Sequence, residues 1–388
     1  MSRNLLYLTE EQREIVSVAQ RFAADEIAPH VAEWDRDERF EPSIVGKLGA
    51  LGFLGMLLPE QYDGLALSTS TYLLALEEIA AVDASTAVLM SVHNSLPTQM
   101  ILRFGTDEQR SRFLPAMARG EMLGAFALSE PEAGSDAAAL STQATFDGEA
   151  WVLNGTKAWV TNGGEADVIV VLARTDSPGD RKGARGISAF LVTPDLPGFR
   201  VGRKEEKMGL RASPTVQLAL EQLRVPASGL LGEQGAGFVQ AMQSLDNGRL
   251  GIAAQAVGIA RAALEEATSY AGERRQFGTV IREFEAIQFK LADMATRVAA
   301  SRTLLHATAD AKDRGEPVTA QASMAKLFAS ETAMFVTTEA IQILGGYGYV
   351  KEYPVERLFR DAKVTEIYEG TSEIQRIVIA RDLYSRND

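Results

Sequence analysis

The spacing of apolar residues changes twice along this chain, and this change restricts the fold more than any other feature. Over residues 9 to 119 the spacing is helical, as in the segment "TEEQREIVSVAQRFAADEIAPHV". Over residues 122 to 232 the helical spacing fades, and short apolar runs between turn-forming residues indicate strands. Long helical patterns return after residue 237. Because helices and strands occur in blocks rather than as alternating β-α-β units, the pattern disfavours a doubly wound dinucleotide-binding sheet.

The three blocks predict an α+β protein of several domains. These are an N-terminal helical domain, a middle antiparallel β domain and a C-terminal helical bundle, over residues 1–121, 122–233 and 234–388. In the middle domain, Asn154-Gly155 and Asn162-Gly163 are signals for tight turns, and the hydrophilic residues 175 to 186 predict a surface loop. In the last domain, one apolar stripe with spacings of three and four predicts the core positions Phe284, Ile287, Leu291, Met294 and Val298.

Composition excludes several classes of function. The formal charge of −13 and the pI near 5.0 oppose non-specific binding to nucleic acid, which requires a positive field. The chain has no cysteine, so disulfides, thiolate metal sites and cysteine nucleophiles are excluded. Polar residues interrupt the longest uncharged run, residues 84 to 102, so we expect no membrane span. The first residues, "MSRNLLYLTEEQREIV", turn polar too early for a secretory signal, and we expect a cytoplasmic location.

The signatures of common enzyme classes are missing. Neither "GEQGAGF" nor "GGYGY" follows a strand and opens a helix with the Rossmann spacing, and no GxxxxGK[ST], GxSxG or HExxH motif occurs. The three histidines, His30, His93 and His306, lie far apart in sequence. We therefore expect structural roles for them and no metal site.

Two segments carry more turn-forming and polar residues than scaffolding requires. The first is "FALSEPEAGSDAAA", residues 126 to 139, which by itself indicates a strand that ends in a polar turn. The second is "QILGGYGYVKEYPVERLFRDAKVTEIYEGTSEIQ", residues 342 to 375, which by itself indicates a glycine helix end and two short helices. Within it Glu369 precedes a predicted helix, where Thr371 or Ser372 with Gln375 would form a capping box. The simplest role for Glu369 is that of a solvated acid near this helix start.

Together these segments resemble the two signature segments of the acyl-CoA dehydrogenase family. The first has the A-L-S-E-x-x-A-G-S-D spacing, and the second has the Q-x-x-G-G-x-G-Y-x-x-E run with Arg357 and Asp361 downstream. The order of helices, strands and helices agrees with that family over essentially the whole chain. The stretch "SVHNSLPTQMILRFGTDEQ", residues 91 to 109, is most similar to short-chain (butyryl-CoA) members. The resemblance implies FAD-dependent oxidation of an acyl-CoA to the trans-2-enoyl-CoA. It also implies an electron-transfer flavoprotein as electron acceptor and a homotetramer as the assembly.

The resemblance further implies that FAD lies between the middle and C-terminal domains. The first signature segment and the strand at "WVT" would contact the flavin through Phe126, Leu128, Ser129, Gly134, Ser135, Trp159 and Thr161. The tryptophan would offer a flat face to the isoalloxazine ring. An FAD bound mainly by a neighbouring subunit would be reached through Arg274, Phe277, Gln342, Gly345 and Gly346. Thr371 and Glu373 match further contacts to the same cofactor.

Most members of this family place the base that removes the α-proton at the Y-E-G-T position, which is Glu369 here. An apolar pocket would raise the pKa of this glutamate and make it a better base. Gly370 would let the chain turn tightly, and the N–H of Glu369 would help to hold the thioester oxygen. One subgroup places its base in the segment corresponding to "SLDNGRLGIAAQA", where this chain has Gly248 and no glutamate.

The resemblance assigns substrate contacts to Ser135, Asp246, Arg249, Tyr368 and Gly370, and Arg249 would also orient Glu369. Glu132 stands where relatives often have a small or amide residue, which leaves the contacts of the flavin loop open. The length of the acyl chain depends on pocket depth, so medium-chain and branched substrates stay open. A non-catalytic acyl-CoA-binding flavoprotein also stays open, whereas an acyl-CoA oxidase would usually need a longer chain.

Overall fold

The computed structural model describes residues 7–177 and 183–385. Two predictions concern residues outside the described part. The cytoplasmic location was expected from a segment that includes residues 1–6, and the predicted surface loop includes residues 178–182. Within it the chain forms helices, then a sheet, then helices, in the predicted order.

The first block is helical, as predicted. Its first helix begins with a capping box, because Thr9 Oγ1 accepts from the N–H of Gln12 at 3.2 Å and the Gln12 side chain accepts from the N–H of Thr9 at 3.1 Å. Asp83 separates two buried helices and caps the second by accepting from the N–H of Thr86 at 2.8 Å. The helices are α1 (Glu10–Phe22, continued by a π turn at Ala23–Ile27), α2 (Val31–Asp37), α3 (Ser43–Ala50), α4 (Thr69–Val82), α5 (Ala84–Ser95), α6 (Pro97–Phe104) and α7 (Asp107–Ala118).

The middle block is a single sheet. Its strands are β1 (Gly124–Ala127), β2 (Gln143–Phe146), β3 (Ala150–Val160), β4 (Val168–Arg174), β5 (Ile187–Val192), β6 (Phe199–Lys204), β7 (Val216–Pro226) and β8 (Leu230–Leu231). They follow the order β6-β7-β3-β2-β4-β5-β8, with β1 beside β4. The sheet is mostly antiparallel, but β1 runs parallel to β4, and β2 also meets β4 in a single parallel pair. The β2–β3 hairpin lies between β1 and β4 in sequence. It returns the chain to the end of the sheet at which β1 begins, so β4 starts there and runs parallel to β1.

One of the two predicted turns in this sheet is wrong. Asn154-Gly155 lies inside the continuous strand β3, at a register shift against β7. Pairing on both sides of the shift absorbs the extra residue as a bulge, so the chain does not reverse. A Cβ at Gly155 would lie 2.4 Å from Thr142 Oγ1, and this close approach requires the glycine. Asn162-Gly163 does form a turn, closed by a 3.2 Å hydrogen bond from the N–H of Gly163 to the carbonyl of Val160.

The last block is a helical bundle with one short hairpin. Its elements are α8 (Gly237–Glu273), β9 (Arg275–Gln276), β10 (Thr279–Val280), α9 (Glu285–Asp313), α10 (Thr319–Leu344), α11 (Val355–Val364) and α12 (Ser372–Ser385). The predicted apolar stripe is confirmed as part of the core, since Met294 and Val298 are buried and the other three residues pack against them half-buried. The predicted domain boundaries fall between α7 and β1 and between β8 and α8.

A shared core fixes the two helical blocks against each other. Buried side chains from α1, α4, α5, α8, α9, α10 and α11 form one cluster, whereas each face of the sheet has a separate one. Helices α11 and α12 both pack on α10, and α11 also packs on α8. The connection between α11 and α12, which carries Glu369, is therefore held against the centre of the bundle.

Candidate active site

The connection between α11 and α12 is a tight turn in an uncommon backbone conformation. Glu369 has a φ of 50° and Gly370 a φ of 90°, so two consecutive residues lie on the left-handed side. A glutamate is strained there, whereas a glycine is not. Hydrogen bonds from Tyr368 N to Val364 O at 3.1 Å and from Ser372 N to Glu366 O at 2.9 Å close the turn on both sides.

The capping box predicted for the start of α12 is only partly correct. Thr371 acts as the cap, with its Oγ1 accepting from the N–H of Ile374 at 3.4 Å. The Gln375 side chain does not reach back to the cap N–H, because counted from Thr371 it stands one position beyond the third helical residue. Its amide donates instead to the carbonyls of Glu369 at 3.2 Å and Gly370 at 2.8 Å. Glu373, predicted to contact the cofactor, is exposed in the first turn of α12.

The carboxylate of Glu369 is buried, and within residues 7–177 and 183–385 neither of its oxygens has a hydrogen-bond partner. Burial raises the pKa of this carboxyl to about 7, against the opposing influence of the Lys326 ammonium and the Arg249 guanidinium. A carboxylate that is unpaired and half ionised near neutral pH is free to accept a proton from a bound molecule. This disagrees with the simplest role of Glu369 as a solvated acid at a helix start.

The helix facing the carboxylate has a glycine at the contact. A Cβ on Gly248 would lie 1.8 Å from Glu369 Oε2, so no other residue fits beside the carboxylate in its present position. Gly248 occupies the position that corresponds to the alternative base, and it leaves room for Glu369 instead.

Arg249 and Asp246 lie together on the first half of α8. Arg249 Nη1 donates to Asp246 Oδ1 at 2.7 Å, and Thr319 Oγ1 donates to Asp246 Oδ2 at 2.6 Å. Arg249 was predicted to orient Glu369, but its hydrogen bond goes to Asp246, which is three residues earlier on the same helix face. The buried Nε of Arg249 has no partner in the part of the chain that the structure describes, and the guanidinium charge lowers the pKa of Glu369.

The first signature segment is fixed to the sheet by a buried ion pair. Lys157 on β3 donates to Glu130 Oε1 at 2.7 Å and to the carbonyl of Leu128 at 3.2 Å. Glu130 also accepts from the backbone N–H groups of Ser141 and Thr142 at 2.6 and 2.9 Å. Burial alone raises the pKa of Glu130, but Lys157 and these donors reverse the shift and bring the pKa to about 2. Leu128 and Ser129 are thereby held at a fixed place beside β3, next to half-buried Phe126.

Several residues that were predicted to contact the flavin are exposed at the surface. Trp159 is 62% exposed and has a φ of 59°, an uncommon conformation for a tryptophan at the end of a strand. Gly134 has no atom within 4 Å of the position of a Cβ, and Ser135 beside it is exposed. Thr161 is half-buried. An exposed aromatic face beside an open glycine loop fits a planar ring system, so these residues suit FAD.

A second group of predicted cofactor residues lies on the helical bundle. A cavity of about 750 Å³ is lined by Arg274, Gly345 and Gly346, with Tyr270, Tyr347 and Tyr353 around it. Phe277 projects from the β9–β10 hairpin and is 96% exposed, and Gln342 near the end of α10 is also exposed. The guanidinium of Arg274 lies 5.5 Å from the ring centre of Tyr347. A cation, aromatic rings and open glycines suit the phosphates and base of a nucleotide.

Two residues that shape these sites were not predicted, and a third was predicted in another role. Lys326 binds the backbone of the Glu369 turn, and Lys157 anchors the first signature segment. Gln375 was expected only as a capping residue, but it also binds the backbone of the Glu369 turn. A lysine inside the apolar run "ASMAKLFAS" is the one signal that could have drawn notice to Lys326, because such a lysine must be paired if the helix is buried.

The histidines lie apart from these groups. His93 is buried and accepts from the N–H of Gly124 at 3.1 Å, and burial lowers its pKa to about 4. His30 stacks on Trp34 with a ring separation of 5.6 Å. Among residues 7–177 and 183–385, no cluster of His, Cys, Asp and Glu side chains could hold a metal ion. In the same part of the chain, no helix combines the length and apolar character that crossing a bilayer requires.

Comparison with known families gives matches along almost the whole chain. The family description "Acyl-CoA dehydrogenase, N-terminal domain" matches residues 9–121, "middle domain" matches residues 125–223 and "C-terminal domain" matches residues 235–384. Among curated proteins, the mitochondrial short-chain specific acyl-CoA dehydrogenase of Bos taurus is 50% identical over 376 residues, which is 97% of this chain and 90% of the relative.

Solved structures give equally extensive matches. Butyryl-CoA dehydrogenase from Megasphaera elsdenii superposes with a TM-score of 0.95 and 44% identity, covering 98% of this chain and 99% of that one. A chain in a structure described as the electron-transferring flavoprotein of Acidaminococcus fermentans, in work on flavin-based electron bifurcation, has a TM-score of 0.95 and 47% identity. It covers 97% of this chain and 99% of that one.

Proposed function

This chain belongs to the acyl-CoA dehydrogenase family, and from this premise we propose that it oxidises a short-chain acyl-CoA to the trans-2-enoyl-CoA with Glu369 as base. It is an oxidoreductase that acts on CH–CH groups, and members of this family use FAD. The electrons would pass on to an electron-transfer flavoprotein, which the similarity to the Acidaminococcus fermentans structure supports.

One observation carries the assignment of the base: the Glu369 carboxylate is buried, unpaired and half ionised near neutral pH. The α-proton of a thioester is weakly acidic, so its removal needs a base whose oxygens are not already engaged. In a closed pocket that excludes water, no solvent molecule can replace this base. Glu369 would take the α-proton on one carboxylate oxygen, and its backbone N–H would help to hold the thioester oxygen.

The residues that would hold FAD form two groups. Phe126, Leu128, Ser129, Gly134, Ser135, Trp159 and Thr161 would bind the flavin end. Arg274, Phe277, Gln342, Gly345 and Gly346 would bind the nucleotide end of an FAD from a neighbouring subunit, and Thr371 and Glu373 would add contacts to the cofactor. When bound, FAD supplies the acceptor for the hydride that leaves the β-carbon.

The CoA thioester would lie along α8 and the Glu369 turn. Asp246, Arg249, Tyr368, Gly370 and Ser135 would contact it, and the fixed Arg249–Asp246 pair would give that channel a defined shape. The similarity to the short-chain specific acyl-CoA dehydrogenase of Bos taurus and to butyryl-CoA dehydrogenase from Megasphaera elsdenii supports a short acyl pocket. We expect the highest kcat/KM near four carbons, and a clear optimum for medium, long or branched acyl chains would contradict a butyryl-like substrate.

The assembly would be a homotetramer, and its location would be the cytoplasm. Large apolar side chains on the bundle are exposed in a single chain, including Phe277, Phe289 and Tyr349, which supports association of helical domains. Light scattering tests this directly, and a stable monomer that retains FAD would contradict it.

The experiment that tests the function is anaerobic rapid mixing of the FAD-loaded protein with butyryl-CoA. We expect fast bleaching of the flavin in the wild type and a loss of about 10²- to 10⁴-fold in Glu369→Gln, which keeps the shape of the side chain but removes its basicity. Glu331→Gln removes an exposed carboxylate that pairs with Arg376 and is the matched control. Near-normal bleaching in Glu369→Gln would move the base elsewhere. No bleaching in the wild type would favour a non-catalytic acyl-CoA-binding flavoprotein.

A further inference from the structure

Two side chains from different helices converge on one backbone oxygen behind the base. Lys326 Nζ on α10 donates to the Gly370 carbonyl at 2.8 Å, and Gln375 Nε2 on α12 donates to the same oxygen at 2.8 Å. Gln375 Nε2 also lies 3.2 Å from the carbonyl of Glu369. These three hydrogen bonds, which we call the Gly370 clamp, hold in place the two peptide units that contain the carbonyls of Glu369 and Gly370.

The turn needs such a clamp because its backbone conformation is unfavourable. A glutamate with a φ of 50° occupies the left-handed region, which is unfavourable for a residue with a side chain. The carboxylate offers no compensation, since neither of its oxygens has a partner. The conformation therefore persists only if contacts to the backbone hold it.

Lys326 is an unusual choice of donor for this task. Its side chain is fully buried, with 0% exposure, although a backbone carbonyl could be satisfied by a neutral group. Burial lowers its pKa to about 8, while the carboxylate of Glu369 favours its charged form. The charge at this position therefore serves an interaction beyond the carbonyl.

The other groups around the base do not duplicate this charge. Arg249 on α8 faces Glu369 but is engaged with Asp246. Tyr72 on α4 and Tyr368 beside Glu369 are phenols whose pKa values burial raises, so both stay neutral. Lys326 itself is also within the influence of Glu366 and Glu373, on the two sides of the turn.

We propose that Lys326 and Gln375 are positioning residues: their clamp on Gly370 holds the Glu369 carboxylate toward the thioester, and the lysine charge favours the ionised form of that carboxylate. This inference rests on the proposed function, because it takes Glu369 as the base. Neither residue exchanges a proton with the substrate. Gln375 supplies geometry alone, whereas Lys326 supplies geometry and charge, and this difference makes the two roles separable.

Three variants test the proposal, with flavin reduction by butyryl-CoA measured against pH. The pKa of Glu369 near 7 predicts an acidic limb at that pH in the wild type. In Lys326→Met this limb should move upward by about one to three pH units, because an opposite charge next to the carboxylate is lost. In Gln375→Met, the rate should fall by about 10- to 100-fold at every pH with the limb unmoved, because only the position of the base changes. Lys326→Gln keeps a donor without the charge, so it should move the limb with a smaller loss of maximal rate.

Lys363→Met is the matched control. It removes a lysine close in sequence to the turn, but this side chain donates to Glu366 at 2.6 Å rather than to the Gly370 carbonyl. We expect its pH profile and rate to match those of the wild type. The proposal is overturned if Lys326→Met lowers only the melting temperature and keeps the wild-type limb. If neither Lys326 variant folds, an unchanged rate in Gln375→Met overturns the clamp, and a reduced rate supports it.

A second measurement separates this inference from the proposed function. Infrared difference titration without substrate reports the protonation of the Glu369 carboxyl, and the band is assigned by its loss in Glu369→Gln. An upward shift of that titration in Lys326→Met supports the charge role even in a protein that does not reduce its flavin. Absence of the shift overturns that role even if wild-type turnover confirms Glu369 as the base.

Discussion

Two glutamates lie in the same helical core, and their surroundings give them opposite properties. Glu77 on α4 is fully buried among Arg261, Arg302 and His306, with Arg302 Nε at 2.9 Å and His306 Nε2 at 3.4 Å from its Oε2. Burial alone raises the pKa of Glu77, but the two arginines and the hydrogen bond with His306 reverse the shift and bring the pKa far below the ordinary value. Glu369 is equally enclosed at its oxygens but unpaired, and burial raises its pKa to about 7.

Burial alone does not make a carboxylate reactive. Both groups lose their water, but Glu77 recovers the lost solvation from two guanidinium groups and is locked in its ionised form. Glu369 recovers little of its lost solvation, so its carboxylate can bind a proton near neutral pH. The first is an element of stability, and the second is a site kept available at a cost in stability.

The largest effect should follow from breaking the paired carboxylate. Glu77→Gln removes the negative charge that two buried arginines share, and we expect a loss of about 3 to 5 kcal/mol in the free energy of unfolding. Because the pKa of Glu77 is lowered, its stabilising contribution is full above the ordinary glutamate pKa and is lost only in acid. Urea denaturation at pH 7 measures this, and a loss below about 1 kcal/mol would contradict the distinction between the two sites.

The next effect should follow from pushing the unpaired carboxylate aside. Gly248→Ala places a Cβ where Glu369 Oε2 now lies, at 1.8 Å, so the side chain must move. A displacement of about 1 Å from the reacting atoms costs about 10²-fold in rate, and we expect this loss in flavin reduction with little change in melting temperature. Gly46→Ala, which adds a Cβ with no neighbour within 4 Å, is the control. Equal rates in both variants would show that the carboxylate position is not critical.

A smaller effect, opposite in sign to that at Glu77, is expected for the stability of Glu369→Gln. The pKa of Glu369 is raised in the folded protein, so its contribution to stability is full below the unfolded value near 4.5 and is lost as pH rises through about 7. At pH 8 the glutamine variant should therefore be more stable than the wild type, by on the order of 1 to 3 kcal/mol. Thermal melting from pH 5 to pH 8 follows the difference, and a less stable variant at pH 8 would contradict an unpaired base.

The smallest effect is expected at an exposed ion pair, which serves as a reference for Glu77 and Glu369. Glu331 pairs with Arg376, and their side chains are 40% and 53% exposed. Glu331→Gln should change the free energy of unfolding by at most about 1 kcal/mol, because water solvates both partners when the pair is broken. Urea denaturation alongside Glu77→Gln gives the comparison. A loss of stability as large as that of Glu77→Gln would mean that ion pairing, rather than burial, sets the free-energy cost of losing the carboxylate.

Local sequence patterns predicted much of the architecture. The helical spacing before residue 119 and after residue 237 and the apolar stripe through Met294 and Val298 agree with the structure, because burial of one helix face imposes a period on the sequence. The turn predicted at Asn154-Gly155 was wrong, because β3 pairs with β7 on both sides of these residues and this pairing overrides the local turn signal. The parallel placement of β1 beside β4 was also missed, because strand pairing depends on distant segments.

Residue types and their spacing along the chain were enough to indicate the family, the order of the three blocks and Glu369 as the residue at the motif position. In contrast, the unpaired state of Glu369, the room left by Gly248 and the hydrogen bonds of Lys326 and Gln375 to its turn depend on how distant segments pack. Lys326 lies 43 positions before Glu369 and Gly248 lies 121 positions before it. The pKa of a carboxyl depends on the charges and solvent around it in space, which α8, α10 and α12 supply only after they pack together.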